Sequence, residues 1–468
     1  MPANEGNRAL LALKQAFELE LARSTISSLD LIKGMSIVAI VGEGMALTTG
    51  VSSTFMASLA RANVNIRQIA QGSTELQIAV VVSEDDTTRA LRAAHMAFTL
   101  SEAAASVTLL GACGQIGSAL VEQFQSQKKM LSEELGVKMC VNIIANSQKM
   151  VMSKDSLGLD KMSEFSKMLS AEDAMDCDLD VITNTMAADV NPLRVIVDCT
   201  NNEMVSEYYE RWLEGGIHII SPGRKFGSGD LERYRRVCQI RKENSVEYLV
   251  ESSVGSALPV LTTLRDLMVT GDKIKRVSGC LSGTMAYIVS TISDDVLFSE
   301  AVQKAVDKGY AENDLKEDLS GLDMTRKVVI LAREMGLSTK IEDVEVESLL
   351  PENLESCQDK VSLLEGLKTM DSKMLDRFKA AEKSNKHIRY KFEIDNKTGK
   401  VSVSLVDVPI SDPLFRLERN ENLVAFETQR YETSPLIVKG AAAGPDLAAA
   451  GIFADLLRLT RAYSSNQN

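Results

Sequence analysis

Histidine is scarce, with three in 468 residues and none near another. That leaves no material for a His-built metal site or a Ser-His-Asp triad. The seven cysteines include no C-x-x-C pair. An odd, scattered set reads as reduced thiols in a cytoplasmic compartment, with a plastid as the alternative had a transit peptide been removed. No apolar run is long enough to cross a bilayer. The start, MPANEGNRALLALKQAFELE, lacks the basic lead and apolar core of a secretory signal, and its acidic residues argue against a transit peptide. Basic charge is also in deficit: the net charge of −13 disfavours nucleic-acid or membrane partners, which require clustered Lys and Arg. What is present is ordinary for a soluble globular protein, 45% hydrophobic and 25% charged. The length predicts two or three domains.

Leu10, Leu13, Phe17 and Leu21 share one stripe, predicting an amphipathic helix over 5–23. A buried strand (35–42), a helix (51–63), two strands (64–72 and 75–83) and a second helix (84–98) then give the order β-α-β-β-α. From 105 to 251 apolar strands alternate with helices, which implies a parallel, doubly wound sheet. The exception is 150–190, polar and Met-rich without a clear period, which reads as a loop or insertion. Beyond 251 come helical stripes at 298–309 and 322–336, then short alternating segments that suggest an antiparallel or mixed sheet. An Ala-rich helix over about 446–462 closes the chain.

Two stretches carry chemistry. Gly111, Gly114 and Gly117 lie directly between an apolar strand and a helix. Glycines there let the backbone approach a pyrophosphate, and the helix N-terminus offers free N–H groups through Gln115 and Ile116. No Asp or Glu closes the next strand, where Asn146 and Ser147 stand instead. The usual grip on the NAD ribose is absent, so NADP is expected, with NAD still open. The second stretch is GYAENDLKEDLSGLDMTRK, 309–327. Asp323 and Lys327 are four apart and share a helix face, with Glu312 and Asp318 preceding them. Carboxylates can hold a substrate ammonium, and a Lys beside one can shuttle a proton.

From about 105 onward the chain resembles a homoserine dehydrogenase. The resemblance rests on VDCT, GIHIISP, ESSVGSALPV, TGDKI, GCLSGTMAYI, the 309–327 stretch, SLLP and GIFADLLR, all in the family's order. SLARANVNIRQIAQGSTELQIAVVV resembles the regulatory ACT segment of bifunctional aspartate kinase–homoserine dehydrogenases, whose kinase half is missing here. The resemblance implies reduction of aspartate semialdehyde to homoserine with a nicotinamide cofactor. It implies that Glu312, Asp318 and Asp323 orient the substrate amine and the lysine. Lys327 would protonate the carbonyl oxygen, and Thr200 and Ser221 would flank the nicotinamide, with Gly444 also on the cofactor side. Glu251 and the carbonyls of Val254, Ser256 and Leu258 would hold a monovalent cation such as Na+. A homo-oligomer, dimer or tetramer, is implied.

The sequence departs from the family in places. Ser221-Pro222-Gly223-Arg224-Lys225 stands where the family usually has Thr/Ser-Pro-Asn-Lys-Lys. Arg224 occupies the position of the functional Lys and keeps its proton at any working pH, so it can polarise a carbonyl or bind a carboxylate but not cycle. Lys225, one residue along, is the alternative. A working dehydrogenase and a catalytically impaired homologue with a regulatory role both follow. In the ACT-like part, Gly42, Gly44, Asn63, Asn65 and Gln71 sit where the resemblance implies an amino-acid effector site, threonine first. Both the ACT sheet and the dinucleotide fold need the strand at 105–110, so the ACT sheet is expected to borrow one from 24–34 or another subunit. The fold class expected is α/β. A linker (1–34) and an ACT-like segment (35–104) precede a Rossmann-type domain (105–250 plus 440–468) and an α+β catalytic and dimerisation domain (251–439).

Overall fold

Alternation of apolar and polar residues organises the N-terminal unit. Strands β1 (Met35–Val41), β2 (Gln68–Gln71) and β3 (Gln77–Ser83) form an antiparallel sheet in the order β1-β3-β2. Val38, Ile78, Val80 and Val82 face one side, where Phe55 and Leu59 of the Val51–Arg61 helix and Ala90 of the Thr87–Phe98 helix bury them. The opposite face keeps Ile37 and Val41 exposed. One expectation is narrowed to its other-subunit alternative here and one is corrected. Residues 24–34 form no strand, so the sheet takes none from them; Ser28 instead bonds Asp30, the kind of local side-chain bond that competes with strand pairing. The helix expected over 5–23 is two, Gly6–Ala16 and Glu18–Ala22, broken at Phe17.

The computed structural model describes residues 5–465 apart from 99–102, 135–136, 154–155, 158–163, 190, 192, 311–313, 358 and 419. The chain divides after residue 102 into two compact units. The second begins with β4 (Ala103–Leu110), followed by β5 (Val137–Ala145), β6 (Lys149–Met152), β7 (Met175–Asp176), β8 (Leu193–Asp198), β9 (His218–Ile220) and β10 (Tyr248–Leu249). They form one sheet in the order β10-β9-β8-β4-β5-β6-β7. The β10-β9-β8-β4-β5 portion is parallel, and β8 is buried along its whole length, as a strand covered on both faces must be. Strand order reverses at β4, which opens a crevice beyond its carboxyl end. The Gln115–Lys129 helix and the C-terminal Pro445–Ser465 helix pack together over one face, with Phe124 and Phe453 rings 5.5 Å apart.

The stretch expected to be an irregular insertion, 150–190, contains regular elements among its described residues. It supplies the antiparallel edge strands β6 and β7 and the helices Phe165–Leu169 and Leu179–Ala188. Its elements are too short for a period to be read, and they are anchored by tertiary contacts instead: Met150 is fully buried, and Trp212 Nε1 donates to Thr183 Oγ1 at 2.7 Å.

A second sheet in this unit contains β11 (Ile274–Cys280), β12 (Glu345–Val346), β13 (Lys386–Asp395), β14 (Val401–Pro409), β15 (Glu421–Thr428) and β16 (Leu436–Ala441). Its order is β12-β14-β13-β11-β15-β16, antiparallel except where β12 meets β14. The Gly283–Thr291, Leu322–Glu334 and Asp371–Lys383 helices pack against it. The Leu322–Glu334 helix is buried along most of its length, including its polar Asp323, Lys327 and Arg333.

Candidate active site

The glycine turn has the shape that a dinucleotide phosphate requires. Gly111 ends β4 at φ +76, and a β-carbon there would come within 3.1 Å of the Cys199 main chain. A β-carbon at Gly117 would run into Gly111 O, so neither position accepts a side chain. Gly114 caps the Gln115–Lys129 helix, whose first amides, from Gln115, Ile116 and Gly117, have no partner within the helix and face an incoming anion. Asn146 follows β5 beside this turn, since Gly111 N donates to Ala145 O at 2.8 Å. Its side-chain oxygen accepts from Gln148 N and Lys149 N at 2.8 and 2.7 Å, which closes the β5–β6 hairpin with Ser147 at its tip.

Against the glycine turn, Thr200 and Ser221 are brought together just past the ends of β8 and β9. The Asp198 carboxylate accepts from Thr200 N at 2.8 Å, Thr200 Oγ1 at 2.6 Å and Tyr209 Oη at 2.7 Å. Burial pushes Asp198 above the usual carboxylate range, against those three bonds. Ser221 Oγ donates to Asp198 O at 3.0 Å and accepts from Gly223 N at 3.0 Å, tying the SPGRK turn to β8.

That turn sends its two basic residues to different carboxylates. Arg224 Nη1 pairs with Asp323 Oδ1, and Lys327 Nζ lies 2.7 Å from Asp323 Oδ2. Lys327 Nζ also donates to Leu281 O at 2.8 Å. Asp323 is 3% exposed. Burial opposes its ionisation, but Lys327 and Arg224 outweigh that and hold its carboxyl below the ordinary range. Lys225 is not part of this cluster; it pairs with Glu203 at 3.3 Å and lines a small cavity with Thr200, Ser221 and Gly223.

Known proteins resemble this chain in each of its parts. The chain matches the ACT domain family over 38–98, the homoserine dehydrogenase NAD-binding domain over 112–251, and homoserine dehydrogenase over 259–457. A chloroplastic bifunctional aspartokinase/homoserine dehydrogenase 1 of Zea mays is 38% identical over 98% of this chain and 50% of its own. The chain thus spans about half the length of such curated relatives. The homoserine dehydrogenase of Saccharomyces cerevisiae is 31% identical over 77% of this chain and 99% of its own. The chain belongs to the homoserine dehydrogenase family. A crystal structure of a Candida auris protein of unknown function shares the fold, with 32% identity, a TM-score of 0.68, and coverage of 76% of this chain and 98% of that one.

Against the family's expected substrate site, Asp318 is buried on the Leu315–Leu319 helix, just before the turn at Gly321 that starts the Leu322–Glu334 helix. Glu312 lies outside the described residues. Gly444 takes φ +118 and begins the C-terminal helix, which packs on the cofactor-side sheet.

The residues expected to hold a monovalent cation already have partners within the protein. The buried Glu251 carboxylate accepts from Leu261 N at 2.8 Å, Thr262 N at 2.9 Å and Thr262 Oγ1, capping the Val260–Val269 helix. Arg458 Nη1 lies 3.5 Å from it as well. Leu258 O accepts from Val260 N at 2.8 Å, and Ser256 O is turned against Gly451 of the C-terminal helix.

The five effector candidates are not gathered within one copy. Gly42 and Gly44 follow β1, and Gln71 ends β2, at the same end of the sheet. Asn63 and Asn65 precede β2 and so lie at the opposite end, because β1 and β2 run in the same direction on either side of β3.

Two features escaped sequence reasoning. Asp198 organises Thr200, and its signal was the Asp-x-Thr spacing of a local side-chain turn in VDCT. Leu281 O holds Lys327 through a main-chain atom, which leaves no trace in side-chain identity.

Proposed function

We propose that the protein catalyses the NAD(P)H-dependent reduction of L-aspartate 4-semialdehyde to L-homoserine, in aspartate-family amino-acid biosynthesis. The observation that carries this is the Arg224–Asp323–Lys327 chain beside the glycine turn. Gly111, Gly114, Gly117 and the amides of Gln115 and Ile116 would bind the pyrophosphate, with Thr200 and Ser221 beside the nicotinamide. A bound nicotinamide supplies the hydride to the aldehyde carbon. Lys327 has three ammonium donors, of which Asp323 and Leu281 O engage two. The third donates its proton to the aldehyde oxygen as negative charge develops there. Arg224 holds Asp323 and adds positive charge without exchanging a proton. Asp318 and Glu312 would receive the substrate ammonium.

NADP is favoured over NAD because Asn146, not a carboxylate, follows β5. Threonine is the effector we expect at the ACT domain, and a dimer or tetramer the assembly. We take 105–250 plus 440–468 as the dinucleotide-binding domain and 251–439 as the catalytic and dimerisation domain. Oxidation of NADPH by the purified protein with aspartate semialdehyde tests the reading, and absence of turnover would refute it. Arg224 in place of the family's Lys favours a second reading, an impaired homologue. An Arg224→Lys variant with raised activity would support that reading, and equal activity would exclude it.

A further inference from the structure

Beyond the residues that face the cleft, we propose that Arg333 is a positioning residue that sets the SPGRK turn against the catalytic helix. Asp323 and Lys327 project from the first turns of the Leu322–Glu334 helix, and Arg333 from its far end. Arg333 reaches back to the short Lys225–Ser228 helix, which Arg224 begins. Its Nη1 donates to Gly227 O at 2.8 Å and its Nη2 to Gly229 O at 2.7 Å, while Nε donates to Thr339 O at 3.0 Å. The same element is therefore gripped twice by one helix, at its start through Asp323–Arg224 and at its end through Arg333.

Packing reinforces the grip. A β-carbon at Gly227 would approach Ile330 of the same helix to 3.0 Å, and one at Gly229 would approach Lys225 O to 2.7 Å. Gly227 lets the turn lie directly on the helix that carries Lys327, and Gly229 lets the turn close on itself. Arg333 as a residue is 5% exposed, the hydrogen bonds of its guanidinium go to main-chain carbonyls, and the Tyr234 ring centroid lies 5.3 Å from it. Burying a cation on neutral acceptors costs more than filling the space with an apolar side chain, so stability alone does not explain it. What the guanidinium supplies is geometry, since a planar fork fixes two carbonyls at once. Those carbonyls end the element whose start presents Arg224 to Asp323.

This rests on the dehydrogenase reading for its kinetic consequence but not for its structural one. Arg333→Met and Arg333→Lys are compared with the wild type by steady-state kinetics and by hydrogen–deuterium exchange. In Arg333→Met, kcat is expected to fall about 10- to 100-fold, as for a displaced catalytic group, with KM for aspartate semialdehyde within about twofold. Arg333→Lys restores part of the loss, and amide exchange rises over 221–229 but not in the central strands. Wild-type kcat with unchanged exchange over 221–229 would overturn the proposal, as would faster exchange spread evenly over the unit. Should Arg333→Met fail to fold, Gly227→Ala displaces the turn from Ile330 without removing a charge. The same kcat-selective loss is expected there, and full turnover would overturn the proposal. Exchange needs no reaction, so a wild type without turnover refutes the dehydrogenase reading and leaves this inference to the exchange result.

Discussion

At the scale of residues, Asp323 is the hinge of the site because two cations meet on one buried carboxylate. Removing one partner of such a buried cluster costs about 3–5 kcal/mol. Asp323→Ala is therefore expected to lose stability in urea unfolding and to lose turnover about 100-fold, while Asp323→Asn keeps the shape and loses mainly turnover. Lys327→Ala should lose about 10²- to 10⁴-fold in kcat as the proton donor disappears; full turnover would remove Lys327 from that role. Because the folded-state pKa of Asp323 is lowered, its contribution is complete above the ordinary carboxylate pKa and fades as pH falls below it. His218 acts over a higher window. It is buried in β9, accepts from Glu247 N at 3.0 Å, and burial, with Arg194 adding to the effect, pushes its pKa down to about 3. The unfolded chain binds a proton near pH 6.5 that the folded chain refuses, so stability falls as pH drops from about 6.5 towards 3. One such group accounts for about 2 kcal/mol between pH 7 and 5. His218→Gln, which keeps an acceptor for Glu247 N, should flatten that part of the stability profile in urea titrations at the two pH values.

At the scale of elements, helix ends decide more than helix interiors. Glu251 satisfies the first amides of the Val260–Val269 helix, a task that leaves its carboxylate engaged on both oxygens. Replacing Na+ by tetramethylammonium at constant ionic strength is therefore expected to leave turnover unchanged; a clear loss would show a cation held by these residues after all. Glu251→Ala should destabilise the protein by about 1–3 kcal/mol through the orphaned amides. Legibility in the sequence followed the same division. The glycine turn and the Asp323–Lys327 pair were readable because their spacing alone puts them on one turn and one helix face. The 150–190 stretch was not, because strands and helices this short are stabilised by what they pack against. Lys225 was a reasonable alternative to Arg224 in sequence. The backbone at Arg224 sends that side chain towards Asp323 and the next one towards Glu203, a difference of one residue in a helical turn.

At the scale of the whole molecule, the N-terminal unit has a sheet with one covered face and one open face bearing Ile37 and Val41. If threonine is the effector, it should raise the melting temperature in a concentration-dependent way even without NADPH, as mass action requires of a ligand that binds only the folded state. A melting curve indifferent to threonine would end that expectation. The five candidate effector residues are divided between two ends of this sheet, so one copy does not gather all five.

By itself the sequence determined most of the order of strands and helices outside 150–190, the family, and the residue types at the cleft. Those follow from periodicities of two and about 3.6 and from motifs whose members are close along the chain. The tertiary structure decided what depends on residues far apart: Arg224 meeting Asp323 across 99 positions, Leu281 O meeting Lys327, and Arg333 reaching Gly227 and Gly229. It also decided that Glu251 caps a helix. A carboxylate's chemistry is written in its side chain, but which donors reach it first is set by the packing around it.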